Sequence, residues 1–260
     1  MKKIFCAIFL LVCFSLAAKA GSDGENSLSE NANKPVKDCF EKVNRVTFAF
    51  NHSLDRAVFE PVAKGYRKLP KPIRTGTGNV LSNLSNLLTI PNNILQGELT
   101  QASVNTGRLL INSTIGILGI FDPASGLGLQ KQQKEDYGQT LGAWGVGEGC
   151  YLVLPVIGPS TARDAIGSFG SLILGGDPWY NVTVRNDTQY FTDFDYYASR
   201  ATTGIDFRAK NLESLENLEK NSMDFYASVK SLYLQDRKQK IMNSKKILDA
   251  MDDGNWEEID

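Results

Sequence analysis

Apolar residues recur every three or four positions along most of this chain, the period of one face of an α-helix. From 41 to 59, Val43, Val46, Phe50, Leu54, Ala57 and Val58 line up, and Pro61 is expected to close that helix. After the proline-punctuated turn LPKPIRTG, a second stripe of Val80, Leu81, Leu84, Leu87 and Leu88 is expected to stop before Pro91. A third helix is predicted from about residue 98 into a strongly apolar stretch. Ser160 reads as the N-cap of a helix through TARDAIGSFGSLILGG, with Ala162, Ile166, Phe169 and Ile173 in line and Gly175 and Gly176 ending it. From about 188 onward Leu212, Leu215, Leu218, Tyr226, Val229 and Tyr233 keep the helical period. The block GQTLGAWGVGEGCYLVLPVIGPS is too rich in glycine and proline for a long regular element and is expected to be a close-packed loop. Two-residue alternation is nearly absent, so the predicted class is all-α, in one domain over 38–240.

Residues 109 to 128, LLINSTIGILGIFDPASGLG, break the pattern. Leu109, Leu110, Ile111, Ile115, Ile117, Leu118, Ile120 and Phe121 fall on nearly every side of a helix, and Asp122 is the one charge. A helix from 109 to 121 covers about 20 Å at about 1.5 Å per residue. A bilayer's hydrocarbon core is about 30 Å thick, so the segment is too short to cross. Either it is a wholly buried core helix, or it enters one leaflet and turns back at Asp122-Pro123 as a hairpin. At about 1.5 kcal/mol per large side chain, burying these residues in lipid would supply a gross term on the order of 10 kcal/mol. One myristoyl chain, by comparison, binds membranes only marginally.

Composition narrows the setting. MKKIFCAIFLLVCFSLAAKA has basic residues, an apolar run and an Ala-Lys-Ala end, which reads as a secretory signal over 1–20. A lipoprotein reading would acylate Cys13, but Val12 stands where a small residue is wanted. Residues 21–37 are polar and expected to be a flexible lead, and 241–260 a charged, frayed tail. The whole chain carries a formal charge of −1, and losing Lys2, Lys3 and Lys19 makes the mature form more acidic. It has no basic footprint for nucleic acid.

Candidate chemistry is sparse. The chain has one histidine, His52, which counts against zinc sites and histidine-based triads. No HExxH, GxSxG or GxxxxGK[ST] motif occurs, and Gly145, Gly147 and Gly149 match a phosphate loop only loosely. Asp193 and Asp195, set among aromatic residues, are the nearest thing to a carboxylate pair for a hydrolase. No metal, cofactor or catalytic residue is expected. Five Asn-x-Ser/Thr sequons, at Asn51, Asn83, Asn112, Asn181 and Asn186, read as chance.

Several stretches together resemble the MlaA (VacJ) family of outer-membrane phospholipid-handling proteins. They are DCFEKVNRVTFAFNHSLDRAVFEPVAKGYR (38–67), LLINSTIGILGIFDPAS, YGQTLGAWGVGEGCYLVLPVIGPSTARDAIG (137–167) and DFYASVKSLYLQDR (224–237). The resemblance implies a helical ring lodged in the inner leaflet of the outer membrane, beside trimeric porins. It implies passage of misplaced outer-leaflet phospholipids through an amphipathic channel to a periplasmic lipid-carrier protein, with no bond made or broken. It favours lipid contact for the apolar hairpin. Asn44, Arg45, Asn51, Arg163 and Asp164 match recurrent polar positions of the family, either in the lipid path or as scaffold. Two departures stand out. The signal is expected to end at Ala20 without the family's lipid-anchored cysteine, and two family prolines are replaced by Cys39 and Cys150. In an oxidising compartment that double replacement suggests a disulfide, against two unrelated buried thiols. Competing readings are a porin-bound structural protein and a carboxylate-dependent periplasmic hydrolase.

Overall fold

The computed structural model describes residues 36–186 and 189–252, with side chains as far as Met242. The signal read at 1–20, the lead as far as residue 35, and 253–260 lie outside the described residues. The order is α1 (Glu41–Leu54), a π-helical turn (Asp55–Phe59), α2 (Glu60–Arg67), α3 (Lys71–Leu95), α4 (Leu99–Thr114), α5 (Pro123–Gly126) and α6 (Tyr137–Ala143). Then come β1 (Tyr151–Leu154), β2 (Gly158–Thr161), α7 (Ala162–Leu174), α8 (Pro178–Tyr180), a second π-helical turn (Asn181–Arg185), α9 (Asp193–Lys210), α10 (Leu212–Asn221) and α11 (Phe225–Asp252).

The domain is mostly helical rather than all-α. The glycine-rich block holds α6 and an antiparallel hairpin in which Tyr151 pairs with Thr161 and Leu154 with Gly158. Four-residue strands are too short for alternation to register against helical periodicity. Glycine serves close approach here: a Cβ on Gly167 would lie 2.5 Å from Gly138 N, so α6 and α7 pack backbone against backbone. Thr161, not Ser160, caps α7 by accepting from Asp164 N at 3.2 Å, and Gly175 ends the helix at φ 79°.

Neither proline terminates its helix. At the first π-helical turn Glu60 N–H reaches back to Asp55 O, and Pro61 then sits in the first turn of α2, where no N–H is required. That turn also puts Asp55 and Glu60 on one side, where Arg208 of α9 holds both, Nε to Asp55 Oδ1 at 2.9 Å and Nη2 to Glu60 Oε2 at 3.3 Å. Pro91 lies inside α3, one turn before its end, and the Asn92 side chain that follows it donates to Leu88 O at 2.8 Å. α3 and α4 form an antiparallel hairpin, since Asn93 pairs with Asn105 at 2.9 Å and Asn83 with Ser113 at 2.9 Å.

The ends of the domain differ from expectation. Val36 packs on the apolar cluster of Tyr151, Val153 and Tyr226, and Lys37 O accepts from Tyr151 N at 2.9 Å. Both residues therefore belong to the fold rather than to the lead. At the other end α11 runs to Asp252, so 241–252 is helical rather than frayed.

Candidate lipid-contacting surface and polar interior

The helical stripes run along the expected faces, but they point the other way. On α1, Val43, Val46 and Phe50 are exposed, Val46 at 72%, while Asn44 between them is 3% exposed. On α3 the buried positions are Asn83, Asn86, Thr89, Asn92 and Asn93, while the leucine stripe is only half-buried. α4 buries Asn105, Arg108 and Asn112 and exposes Leu99 and Leu110. α7 buries Arg163 and Asp164 and exposes Ile166, Phe169, Ile173 and Leu174. The largest fully buried side chains are Tyr151 and then amides and threonines such as Gln96, Gln139 and Thr140. Large apolar side chains exposed along several helices suit an exterior that meets something other than water.

The apolar stretch is the sharpest case. α4 ends at Thr114 rather than at Phe121, and 115–121 fold into a compact turn. Gly119 N donates to Asn112 O at 2.7 Å and Phe121 N to Gly116 O at 2.9 Å. The turn requires positive φ at Ile117 (53°), Leu118 (56°) and Gly119 (92°), an uncommon conformation for a β-branched residue. Leu110, Ile115, Ile117, Leu118, Ile120 and Phe121 are exposed, Leu118 at 75%, whereas Leu109 and Ile111 are half-buried. Asp122 anchors the turn from beneath. It accepts from Arg108 Nη2 at 2.9 Å and from Asn112 Nδ2 at 3.0 Å, and it caps α5. Among the described residues no helix is long and apolar enough to cross a membrane.

The five polar motif residues all bond within the fold. Asn44 accepts from Val153 N and donates to Tyr151 O, both at 2.9 Å. Asn51 accepts from Val156 N at 2.7 Å and donates to Leu154 O at 2.9 Å. Seven residues of helix rise about 10.5 Å, close to the roughly 10 Å from Tyr151 to Leu154 in a strand. The two amides thus grip one strand edge in register. Arg45 bonds Glu41 at 2.8 Å and Asp224 at 2.8 Å, with its guanidinium 4.4 Å from the Tyr226 ring centre. Arg163 pairs with Asp164 at 3.1 Å, and Asp164 also accepts from Arg237 at 2.9 Å and from the Tyr233 hydroxyl at 2.5 Å. Burial alone would raise the Asp164 carboxyl, but Arg237, Arg163 and Tyr233 outweigh it and hold it below the usual carboxylate range. Cys39 and Cys150 are joined as a disulfide, their Cα atoms 5.6 Å apart, tying the start of α1 to the start of β1.

A family profile described as MlaA lipoprotein matches residues 36–240. The chain belongs to the MlaA lipoprotein family. Among MlaA relatives, the intermembrane phospholipid transport system lipoprotein MlaA of Haemophilus influenzae is 30% identical over 265 residues, 96% of each chain. The protein of that name from Escherichia coli K12 is 33% identical over 202 residues, 76% of each. A solved structure, described as "Structural basis for maintenance of bacterial outer membrane lipid asymmetry", matches with a TM-score of 0.66 at 31% identity, covering 79% of this chain and 99% of that one. The family is one of transport lipoproteins, and the chain, as a member of it, is not an enzyme.

The MlaA domain also holds polar residues that motif reading passed over. Gln96 Nε2 donates to Thr140 Oγ1 at 2.9 Å and Glu135 Oε2 at 3.3 Å, and Asn93 donates to Glu98 at 2.5 Å. Burial, and then the neighbouring Glu98, push the Glu135 carboxyl up to about 8, so it is mostly protonated at neutral pH. A signal for this interior was present. Asn79, Asn83, Asn86, Thr89, Asn92, Asn93 and Gln96 recur at helical spacing beside the leucine stripe, a polar face as regular as the apolar one.

Proposed function

We propose that this chain carries phospholipids misplaced in the outer leaflet of the outer membrane to a periplasmic lipid-carrier protein, and so maintains lipid asymmetry. The export signal read at 1–20 delivers it to the periplasmic side. There its helices form a ring in the inner leaflet, beside a trimeric porin, with acyl chains against the apolar exterior and a polar path inside for headgroups. The names and description attached to its relatives support this reading. The observation that carries it is the turn 115–121, which exposes Ile115, Ile117, Leu118, Ile120 and Phe121 above an anchored Asp122. No reaction accompanies transfer. Lipid is moved by exchanging one amphipathic surrounding for another.

The test pairs a physical with a cellular readout. Leu118→Ser with Phe121→Ser removes two large apolar groups worth about 1.5 kcal/mol each, so partition of the purified chain into phospholipid vesicles should fall about a hundredfold. In cells lacking this chain, surface-exposed phospholipid should rise, and the wild type should restore it where the double variant does not. Unchanged partition, or full restoration by the variant, would remove the basis for the reading.

A further inference from the structure

A cavity of about 420 Å³ lies beside α3, within the size range of small-ligand sites. Its lining carries four cations, Lys71, Arg74, Lys131 and Lys210, against one carboxylate, Asp206. That carboxylate is bonded by Lys210 Nζ at 2.6 Å and the Tyr66 hydroxyl at 3.2 Å, and Lys131 pairs with Asp122 at 3.4 Å, so Lys71 and Arg74 supply the excess of positive charge that faces the space. A Cβ on Gly78 would stand 3.2 Å from Lys210 Nζ, so the end of that lysine lies against α3.

The cavity borders the apolar turn directly. Asn79 donates to Ile120 O at 3.2 Å on one side and accepts from Lys131 Nζ at 3.2 Å on the other. A Cβ on Gly76 would sit 3.3 Å from Ile120 Cγ2, so α3 and the turn touch there. An anionic pocket-filler attached to an apolar tail could therefore place both ends at once, which neither a free ion nor a neutral lipid can do.

We propose that this cavity is a phosphate subsite that holds the phosphodiester of a glycerophospholipid while its acyl chains lie on the 115–121 turn. This rests on the conduit reading and names the group that the conduit selects. Lys71 and Arg74, one turn apart at the start of α3, and Lys210 from α9 would each donate to phosphate oxygens, where charge-assisted hydrogen bonds are the strong ones.

Binding of fluorescently labelled phosphatidylglycerol and labelled diacylglycerol to the detergent-solubilised full chain tests this. The wild type should prefer the phosphate-bearing lipid by about tenfold or more. Lys71→Gln with Lys210→Gln should abolish the preference while leaving diacylglycerol binding in place, and Lys71→Arg should keep the preference. Should the double variant fail to fold, Lys71→Gln alone should still lower the preference severalfold. Equal binding of both lipids by the wild type would overturn the subsite and spare the conduit. Binding of neither would overturn both. Displacement by glycerol 3-phosphate as effective as by phosphatidylglycerol would assign the cavity to a soluble phosphate and overturn the lipid headgroup.

Discussion

Cys39→Ser with Cys150→Ser should cost about 4 to 5 kcal/mol of unfolding free energy, the chain-entropy value for a loop of about a hundred residues or more. The bridged cysteines are 111 positions apart, and the bond closes nearly half the chain into one ring. Without it the unfolded state gains the freedom of that loop, while the folded state keeps its other ties at the same junction. Asn44 and Asn51 still grip β1, and Tyr151 N still donates to Lys37 O. The variant should therefore be native by circular dichroism yet unfold at markedly lower denaturant. Denaturant titration of the oxidised wild type, the reduced wild type and the double variant measures the difference. The two forms without the bridge should agree. A loss below about 1 kcal/mol would mean that the unfolded chain is already restrained across this loop, since the chain-entropy value assumes an unrestrained one.

Arg237→Ala should be comparably damaging for a different reason. Arg237 lies in α11 and bonds Asp136 at 2.6 Å and Asp164 at 2.9 Å, so it joins the N-cap of α6 to the first turn of α7 through one guanidinium. Removing one member of a buried ionic group leaves the others uncompensated, a loss of about 3 to 5 kcal/mol. The effect should depend on pH with a definite sign. Burial opposes ionisation of Asp136, but the hydrogen bonds and charge of Arg237 hold its carboxyl at about 2, below the unfolded value of 3.8. Asp164 is depressed in the same direction. A depressed carboxylate contributes stability above its unfolded pKa and loses it as pH falls through the folded one. The gap between wild type and Arg237→Ala should thus be full above about pH 4 and narrow toward about pH 2. A gap that stays constant across that window would remove the ion pairs as its cause.

The helices were legible in the sequence, and the side facing inward was not. Periodicity in Val43, Val46 and Phe50, or in Ile166, Phe169 and Ile173, finds a stripe without saying which solvent it meets. The usual assumption that the stripe faces a core presumes water outside. The resolving feature is the opposite face: Asn44 beside the first stripe, Arg163 and Asp164 beside the second, and the amide row on α3 all carry polar groups that bond one another or a nearby backbone. Element ends were read less well wherever one residue type has two uses. Pro61 and Pro91 are helix stops in isolation, but Pro61 falls in the first turn of α2, where no N–H is required, and Pro91 has only the last turn of α3 after it. The glycine-rich block reads as loop from its glycines and prolines, yet it holds α6, because a close backbone approach such as that of Gly138 to Gly167 of α7 has no periodic signature.

The same ambiguity governed the apolar stretch. Its eight large side chains suggested a helix apolar on all sides, whereas the chain turns at positive φ over Ile117, Leu118 and Gly119 and folds back on Arg108 and Asp122. No periodicity argument anticipates a β-branched residue in that conformation. What survives is the exposure: six of the eight side chains remain on the surface, where burial in an apolar medium would be favourable.

The most direct measurement places benzoylphenylalanine in place of Leu118 and irradiates intact cells. A phospholipid adduct on the recovered chain is the predicted result, because that side chain stands at the crest of the turn. Adducts confined to the chain itself, or none formed in the presence of membranes, would mean the crest is covered by protein or bathed in water, and would contradict the account.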